Sequence, residues 1–395
     1  MFHRHTPLAM YTRANISLIA TALLLGGAGL FLIQMKSAPV AYVASAQGEA
    51  TSTPAIPPEP VFVVTHVPMP ESVKAIYMTS WVAGTKSLRE KLVKLIDETE
   101  VNAVVIDVKD YTGRIVFPVQ DPYLKEIGAE EVRVRDMKEF IGVLHEKGVY
   151  VIGRISSFQD QYLTEKRPEL AVRRASDDGI WKDRKGISWL DAGSREVWDY
   201  LVAVGKESYR AGFDELNFDY IRFPSDGNMK DIAYRFYDES TMTKADQMKE
   251  FFAYLHGELS GTGPVLSADF FGLTSSATGD LGIGQILENA APYFDAIAPM
   301  VYPSHYASGF NNLKNPADHP YEVIFSEMQK ASEKLTAASS TPAKLRPWLQ
   351  DFNLGATYTG DMIQKQKQAV YDAGLTSWMI WSPSNVYTKG GLDVE

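Results

Sequence analysis

The sequence predicts an α/β protein whose main domain, residues 73–395, is a (β/α)8 or TIM barrel, preceded by an N-terminal transmembrane anchor and a Pro-rich linker. From about Lys74 onward, short runs rich in β-branched and aromatic residues alternate with helical patterns, as in parallel sheets built from βα units. Eight such runs are present, enough to close a barrel, although an open doubly wound sheet has the same order of elements. No Gly-x-Gly-x-x-Gly motif follows the first run and no P-loop is present, which disfavours a nucleotide-binding open sheet.

Composition and charge exclude several classes of protein. The chain has 395 residues, of which 45% are hydrophobic and 22% charged, with a formal net charge of −10. We do not expect an acidic chain without a run of Lys and Arg to bind nucleic acid. The absence of cysteine excludes disulfides, thiolate metal ligands and a cysteine nucleophile. We expect no metal ion and no cofactor, and the sequence makes no prediction of oligomeric state.

The N-terminal region, residues 1–36, is predicted to be a signal-anchor or a signal peptide. Ile16–Met35 is a run of about 20 uncharged, mostly apolar residues, long enough to cross a bilayer. Arg4 and Arg13 precede it, which favours a cytoplasmic N-terminus and export of the rest. The run is longer than a typical h-region of ~7–15 residues, so we expect an uncleaved helix in the cell membrane and an extracytoplasmic domain. Secretion after cleavage near Ala44-Ser45-Ala46 is the alternative.

Residues 37–72 are predicted to be a linker. Ala, Ser, Thr, Glu and Pro dominate this part of the chain, and Pro54, Pro57, Pro58 and Pro60 lie close together. Such a segment buries too little apolar surface to fold by itself and forms an extended, semi-rigid spacer.

The barrel domain follows the linker. Its helical patterns carry clear end signals: one helix is expected to end at Gly148, and another to begin near Ser194 and end at Gly212. The eight predicted strands are Ala75–Trp81, Asn102–Lys109, Val149–Ser156, Phe213–Arg222, Pro264–Phe271, Phe294–Tyr302, Leu345–Asp351 and Thr376–Trp381.

Side-chain alternation assigns the faces of these strands. In the fourth strand, Glu215, Asn217 and Asp219 share the face that points into the barrel. In the fifth strand, Ser267 and Asp269 point inward. Asp219 and Asp269 fall near the C-terminal ends of their strands, where barrel enzymes place their active sites.

A carboxylate inside a barrel is unfavourable unless it is paired or functional. An ion pair with an inward Arg154 or Lys109 is one explanation. The other is a pair of carboxyl groups across a cleft, as glycosidic bond hydrolysis requires, one acting as acid and the other as nucleophile or base. Two such residues on adjacent strands favour the second explanation.

The same alternation predicts further side chains at this mouth of the barrel. Aromatic rings beside polar groups suit a sugar, which has apolar faces and polar edges. His305, just after the sixth strand, either contacts substrate or caps its loop. The remaining predicted substrate-binding residues are Tyr77, Trp81, Asp107, Lys109, Arg154, Asn217, Tyr302, Trp348, Gln350 and Trp381.

Three fragments resemble a known family: Gly212–Pro224, which contains Asp-Tyr-Ile-Arg-Phe-Pro, Ala298–Pro303 and Trp378–Pro383. They are similar to a bacterial glycosyl-hydrolase domain classed as a domain of unknown function, a (β/α)8 barrel distantly related to amylase-type and chitinase-type glycosidases. The resemblance extends from about Val73 to the C-terminus. It implies that Asp219 is the leading catalytic candidate, and it supplies no substrate.

The sequence departs from both distant relatives at strand four. Asn217 replaces the middle Asp of the chitinase Asp-x-x-Asp-x-Asp-x-Glu pattern, and Ile221 stands where its catalytic Glu would be. Amylase-type enzymes have an Arg at the position of Asn217 and a Glu acid on strand five, where this chain has Asp269. Arg222 is the candidate for the missing positive charge.

These observations predict a hydrolase of O-glycosyl bonds that acts on a polysaccharide or oligosaccharide at the cell envelope. Asp219 is expected to be the ionised nucleophile or base and Asp269 the proton donor, with Arg222 and Arg154 orienting Asp219. Two rivals stay open: a non-catalytic, membrane-tethered glycan-binding barrel, and a transglycosidase that uses the same residues.

Overall fold

A computed structural model describes residues 63–394 of the chain. The predicted anchor, residues 1–36, and most of the predicted linker lie outside these residues. Among residues 63–394, no helix has the length and apolar character needed to cross a membrane.

Eight parallel strands form a closed barrel in which each strand pairs with the next along the chain and the last pairs with the first. This confirms the predicted barrel and rules out the open sheet. The strands are β1 (Lys74–Met78), β2 (Ala103–Lys109), β3 (Tyr150–Ser156), β4 (Glu215–Asp219), β5 (Val265–Phe271), β6 (Ala296–Met300), β7 (Trp348–Gln350) and β8 (Trp378–Trp381).

Helices lie between the strands and have the end signals that the sequence indicates. Ser194 Oγ accepts a hydrogen bond from Val197 N at the start of the longest helix before β4, and Gly212, with φ of 113°, ends it. The helices are α1 (Ser80–Gly84), α2 (Lys86–Asp97), α3 (Pro122–Ile127), α4 (Met137–Glu146), α5 (Gln161–Lys166), α6 (Arg195–Ala211), α7 (Lys244–Leu259), α8 (Leu287–Ala290), α9 (Pro320–Ala337) and α10 (Gly360–Asp372).

Side chains of the strands divide between two apolar cores. One core lies between the strands and the helices and includes Leu216 and Phe218 of β4. The other fills the barrel and includes Tyr77, Tyr150 and Trp348. Successive residues of a strand alternate between the two cores. This alternation is the pattern from which the inward face was predicted.

A bulge in β2 overturns the prediction for Lys109. Asp107 pairs with Arg154 but Lys109 pairs with Ile155, so Val108 is an extra residue that reverses the alternation. Lys109 therefore points away from the barrel interior, where its Nζ lies 2.8 Å from Asp160 and donates to the Ser156 carbonyl. Its predicted place at the mouth is wrong.

Trp81 also departs from its predicted position. Strand β1 ends at Met78, and Thr79 caps α1 by accepting a hydrogen bond from Val82 N. Trp81 thus belongs to a helix, so strand alternation does not apply to it. Its side chain is 63% exposed and packs under the guanidinium of Arg133, outside the cleft described below.

The described end of the predicted linker contacts the barrel at the N-terminal ends of its strands. Val67 N donates to Asp214 Oδ1, just before β4, and Val67 packs against the inner core. The ring of His66 stacks on Tyr209 with centroids 4.0 Å apart. These residues are part of the domain's packing rather than a free spacer.

A buried ion pair lies in the barrel between β4 and the residues that lead into β7. Arg346 donates to Glu215 at 2.8 Å, and both are almost completely buried. We expect Arg346→Met to lower the free energy of unfolding by about 3–5 kcal/mol, because Glu215 is left charged and uncompensated. Urea unfolding measures the change. Arg346→Met combined with Glu215→Leu should recover much of it, and equal losses in the single and double variants would contradict the prediction.

Candidate active site

A cleft of about 540 Å³ opens at the C-terminal ends of the strands. This is a usual size for a small-molecule site. Six of the eight strands, β3 to β8, contribute lining residues, which are Arg154, Asp219, Asp269, Phe271, Met300, Trp348 and Trp381.

Arg154 links three carboxyl groups at the floor of the cleft. Its Nη1 donates to Asp107 Oδ1 at 2.8 Å, and its Nε donates to Asp219 Oδ2 at 3.1 Å. The Nη2 atom also donates to Asp219, and Asp269 Oδ2 lies 4.0 Å from Nε. Burial alone would lower the pKa of Arg154, but the charges of Asp219 and Asp107 raise it well above its usual value. The ion pair stabilises the negative charge of Asp219.

The residue after Asp219 has an unusual backbone conformation. Tyr220 has a φ of 50°, and its N–H donates to Asp219 Oδ1. Strand β4 ends at Asp219, and the Tyr220 side chain lines the cleft while it also packs against the outer core. A non-glycine residue in the left-handed region is strained, and such residues concentrate at functional sites.

Asp269 is in a different environment from Asp219. It is 2% exposed, and its Oδ1 accepts hydrogen bonds from Asn217 Nδ2 at 3.0 Å and Trp348 Nε1 at 2.8 Å. Burial, with a further contribution from the charge of Asp219, raises the pKa of Asp269 to about 8. The protein environment therefore favours the protonated form of Asp269. Because Oδ1 accepts two N–H groups, Oδ2 is the oxygen that carries the proton.

The two carboxyl groups lie in the same part of the cleft. Their Oδ2 atoms are 3.1 Å (Asp219) and 4.0 Å (Asp269) from one nitrogen, Arg154 Nε. These distances keep them closer together than the ~9.5 Å upper end of the range seen in glycosidase carboxyl pairs. An ion-paired carboxylate and a neighbouring carboxyl group with a raised pKa can act as nucleophile or base and as acid.

Of the predicted substrate-binding residues, Arg154, Tyr302, His305, Trp348 and Trp381 line the cleft. Tyr302 is buried, and burial raises its pKa well above the usual value. His305 lies at the rim with its ring 5.4 Å from that of Tyr302, and burial lowers its pKa.

Four other predicted residues do not line the cleft but support the residues that do. Tyr77 stacks on Trp381 at 3.9 Å and donates to Asp107, which pairs with Arg154. Asn217 donates to Asp269. Gln350 accepts a hydrogen bond from the backbone and side chain of Ser304, next to His305. These residues contact the residues that line the cleft, and their direct contact with substrate stays a prediction.

Arg222 lines the cleft but forms no ion pair with Asp219; Arg154 occupies that position. The left-handed turn at Tyr220 directs the chain away from β4 and places the Arg222 guanidinium 4.5 Å from the ring of Phe271. Arg222 therefore does not orient Asp219 through an ion pair, although the charge of Asp219 still acts on it and raises its pKa against the effect of burial.

Residues from loops complete the cleft and were not predicted. Lys185, from the turn Lys182–Ser188 long after β3, lines it together with Ser225 and Asp226 after β4. Strand alternation gives no information about such loops. Among residues 63–394, no group of three or more His, Cys, Asp or Glu side chains could hold a metal ion.

A closed (β/α)8 barrel with an ion-paired carboxylate and a protonated carboxyl in one cleft at its C-terminal end has the architecture of the glycoside hydrolase class. Residues 75–387 match the family described as "Putative glycosyl hydrolase domain". The chain belongs to this family.

Several solved structures are similar to this chain. A hypothetical protein from Ruminiclostridium thermocellum ATCC 27405 is 36% identical, covers 49% of this chain and 96% of its own, and has a TM-score of 0.45. The PgaB (BpsB) glycoside hydrolase domain from Bordetella bronchiseptica is 12% identical, with 79% of this chain and 94% of that chain covered and a TM-score of 0.58. At this identity the likeness shows the fold alone. No curated protein sequence matches the chain.

Proposed function

We propose that this protein is a glycoside hydrolase that cleaves O-glycosidic bonds of a polysaccharide at the cell envelope. The observation that carries the proposal is the division of roles between two carboxyl groups in one cleft. Asp219 forms an ion pair with Arg154, while burial raises the pKa of Asp269 and so favours its protonated form. Opposite protonation states in neighbouring carboxyl groups are what glycosidic cleavage needs.

In this mechanism, Asp269 Oδ2 donates its proton to the glycosidic oxygen as the bond to the leaving sugar breaks. Positive charge develops at the anomeric carbon, and Asp219 either attacks that carbon or activates a water molecule. Trp381 and Tyr302, which line the cleft, offer ring surfaces to the apolar faces of the sugar.

A non-catalytic glycan-binding barrel remains the second candidate, because Asn217 and Ile221 remove two of the residues on which the chitinase pattern depends. The arrangement around Asp269 argues for catalysis instead. A binding site gains nothing from a buried carboxyl group with a pKa of about 8 beside a carboxylate, whereas an acid catalyst does.

A glycan panel with product detection separates the two functions. We expect the wild-type protein to release reducing ends from at least one polysaccharide, and Asp219→Asn to bind the same glycan without releasing product. Binding by both proteins with no product from either would favour the non-catalytic barrel. A transglycosidase would yield lengthened oligosaccharides in the same assay.

The envelope location is proposed from the apolar run Ile16–Met35 and the positive charges before it. We expect the mature protein in the membrane fraction, with its barrel digested by protease added outside the cell. A soluble secreted form beginning near Gln47 would show instead that the signal is cleaved.

A further inference from the structure

Arg222 is a buried cation that forms no ion pair with a carboxylate of residues 63–394. It is 7% exposed, and its guanidinium lies 4.5 Å from the ring of Phe271 and 4.9 Å from that of Trp189. Nη1 donates to the Phe223 carbonyl at 2.9 Å. Its other N–H groups have no acceptor within residues 63–394, and in that part of the chain no carboxylate lies within 4.0 Å of it. The side chain nevertheless lines the cleft.

Burial of an unpaired charge is unfavourable, and burial lowers the pKa of Arg222. The aromatic rings compensate part of this loss through cation–π contacts. They leave the edge of the guanidinium without hydrogen-bond acceptors. A planar guanidinium in this state matches an oxyanion, to which it can donate two parallel hydrogen bonds.

The charges around the cleft favour an anionic ligand. Arg154 is already paired with Asp219 and Asp107, and burial of Asp269 raises its pKa and favours its uncharged form. Among the remaining lining residues, Arg222 and Lys185 carry positive charge, and Asp226 is the one carboxylate. Arg222 and Lys185 are therefore cationic side chains that line the cleft and form no ion pair within residues 63–394.

Lys185 extends this positive region to the opening of the cleft. It is exposed on the turn Lys182–Ser188 and forms no ion pair within the described residues. Asp183 fixes the turn, because its Oδ1 accepts hydrogen bonds from Lys185 N and Ile187 N. The backbone of Lys185 is thus held beside the cleft, and its side chain lines the cleft without forming an ion pair within residues 63–394.

We propose that the glycan substrate carries a negatively charged substituent, a carboxylate or a sulfate or phosphate ester, and that Arg222 and Lys185 form the subsite that binds it. The proposed subsite depends on the proposed function in one respect only, which is that the ligand is a glycan. The subsite would select acidic polysaccharides over neutral polymers of the same backbone.

Calorimetry with matched oligosaccharides tests the subsite. The probes are oligogalacturonides and their carboxyl-reduced, neutral counterparts, together with sulfated oligosaccharides and their desulfated forms. We expect one acidic probe to bind ~10–100-fold more tightly than its neutral counterpart, the factor expected for hydrogen bonds to a charged group. Arg222→Met and Lys185→Met should remove this preference. Lys182→Met is the matched control, since Lys182 is exposed on the same turn but does not line the cleft.

Equal binding of acidic and neutral probes, or equal losses for both in Lys185→Met, would overturn the proposal. Lys185 is exposed, so its variant keeps the test valid even where Arg222→Met lowers the melting temperature. Product release distinguishes this result from the proposed function. Arg222-dependent binding of an acidic probe without cleavage would support the subsite and contradict hydrolysis. Cleavage of neutral probes alone would support hydrolysis and contradict the subsite.

Discussion

Asp219→Asn is expected to lower kcat by about 10⁴-fold, the order of loss seen when a residue of a catalytic group is removed. Asn has the shape of Asp, and its single amide oxygen can keep the hydrogen bonds from Arg154, although the one from Tyr220 N, which goes to the other oxygen of Asp219, is then lost. It carries no charge, so it neither attacks the anomeric carbon nor stabilises the positive charge that develops there. Product release measures kcat, and calorimetry should show glycan affinity within a few-fold of the wild type.

Asp226→Asn is the matched control for this variant. Asp226 lines the same cleft but belongs to a loop outside the barrel, where it accepts a hydrogen bond from Arg184 N. We expect its kcat to stay within a few-fold of the wild type, because Asp226 forms no contact with Arg154 or Asp269. Retention of kcat in Asp219→Asn, or an equal loss in Asp226→Asn, would contradict the role of Asp219.

The barrel could be predicted because its strands obey a simple pattern. Each strand alternates between an inner and an outer apolar core, and this alternation is visible in the residues themselves. The ends of the strands were less predictable. Strand β1 stops at Met78 because Thr79 caps a helix, and β4 stops at Asp219 because Tyr220 adopts a left-handed conformation. Both depend on local backbone geometry.

The floor of the site could also be predicted, since Asp219, Asp269 and Arg154 follow the alternation. The position of the Lys109 side chain could not be predicted, because a bulge in β2 is not visible in the sequence and reverses every side chain after it. The place of Lys185 in the cleft could not be predicted either. It reaches the cleft from a turn, and the path of a turn leaves no periodic pattern in the sequence.

Contacts between side chains of different strands could not be predicted from the sequence for another reason. Asn217 and Trp348 were predicted as substrate contacts, but both donate to Asp269 Oδ1. That arrangement depends on the three strands β4, β5 and β7 meeting at one level of the barrel. Alternation within a strand says which way a side chain points, and not which side chains of other strands it meets.

Asp269→Asn is expected to lower kcat by ~10²–10⁴-fold on natural glycans, the usual contribution of a general acid. The loss should be small with aryl glycosides whose leaving group departs without protonation. Asn can accept from Asn217 and Trp348 and resembles the protonated carboxyl, so the variant should fold. A loss of the same size on both kinds of substrate would show that Asp269 is not the acid.

The pH dependence of kcat/KM tests the role of Asp269 as the acid independently of the kcat of its variant. Only protonated Asp269 can donate, so wild-type kcat/KM on a natural glycan should decline above a pH of about 8, the pKa to which burial raises this carboxyl. Asp269→Asn, assayed with an activated aryl glycoside, should lack this decline. An unchanged alkaline decline in the variant would assign it to another group.

The free energy of unfolding should also depend on the ionisation of Asp269, and the direction of this dependence follows from the raised pKa. The pKa of Asp269 is raised to about 8 in the folded protein, against ~3.9 for Asp in an unfolded chain, so the folded state binds the proton more tightly. The resulting stabilisation is complete below the unfolded pKa and is lost as pH rises through about 8. Asn does not titrate, so the melting temperature of Asp269→Asn relative to wild type should increase between pH 4.5 and pH 8.5. A constant difference across this range would mean that Asp269 is ionised in the fold, and the acid would then have to be a different residue.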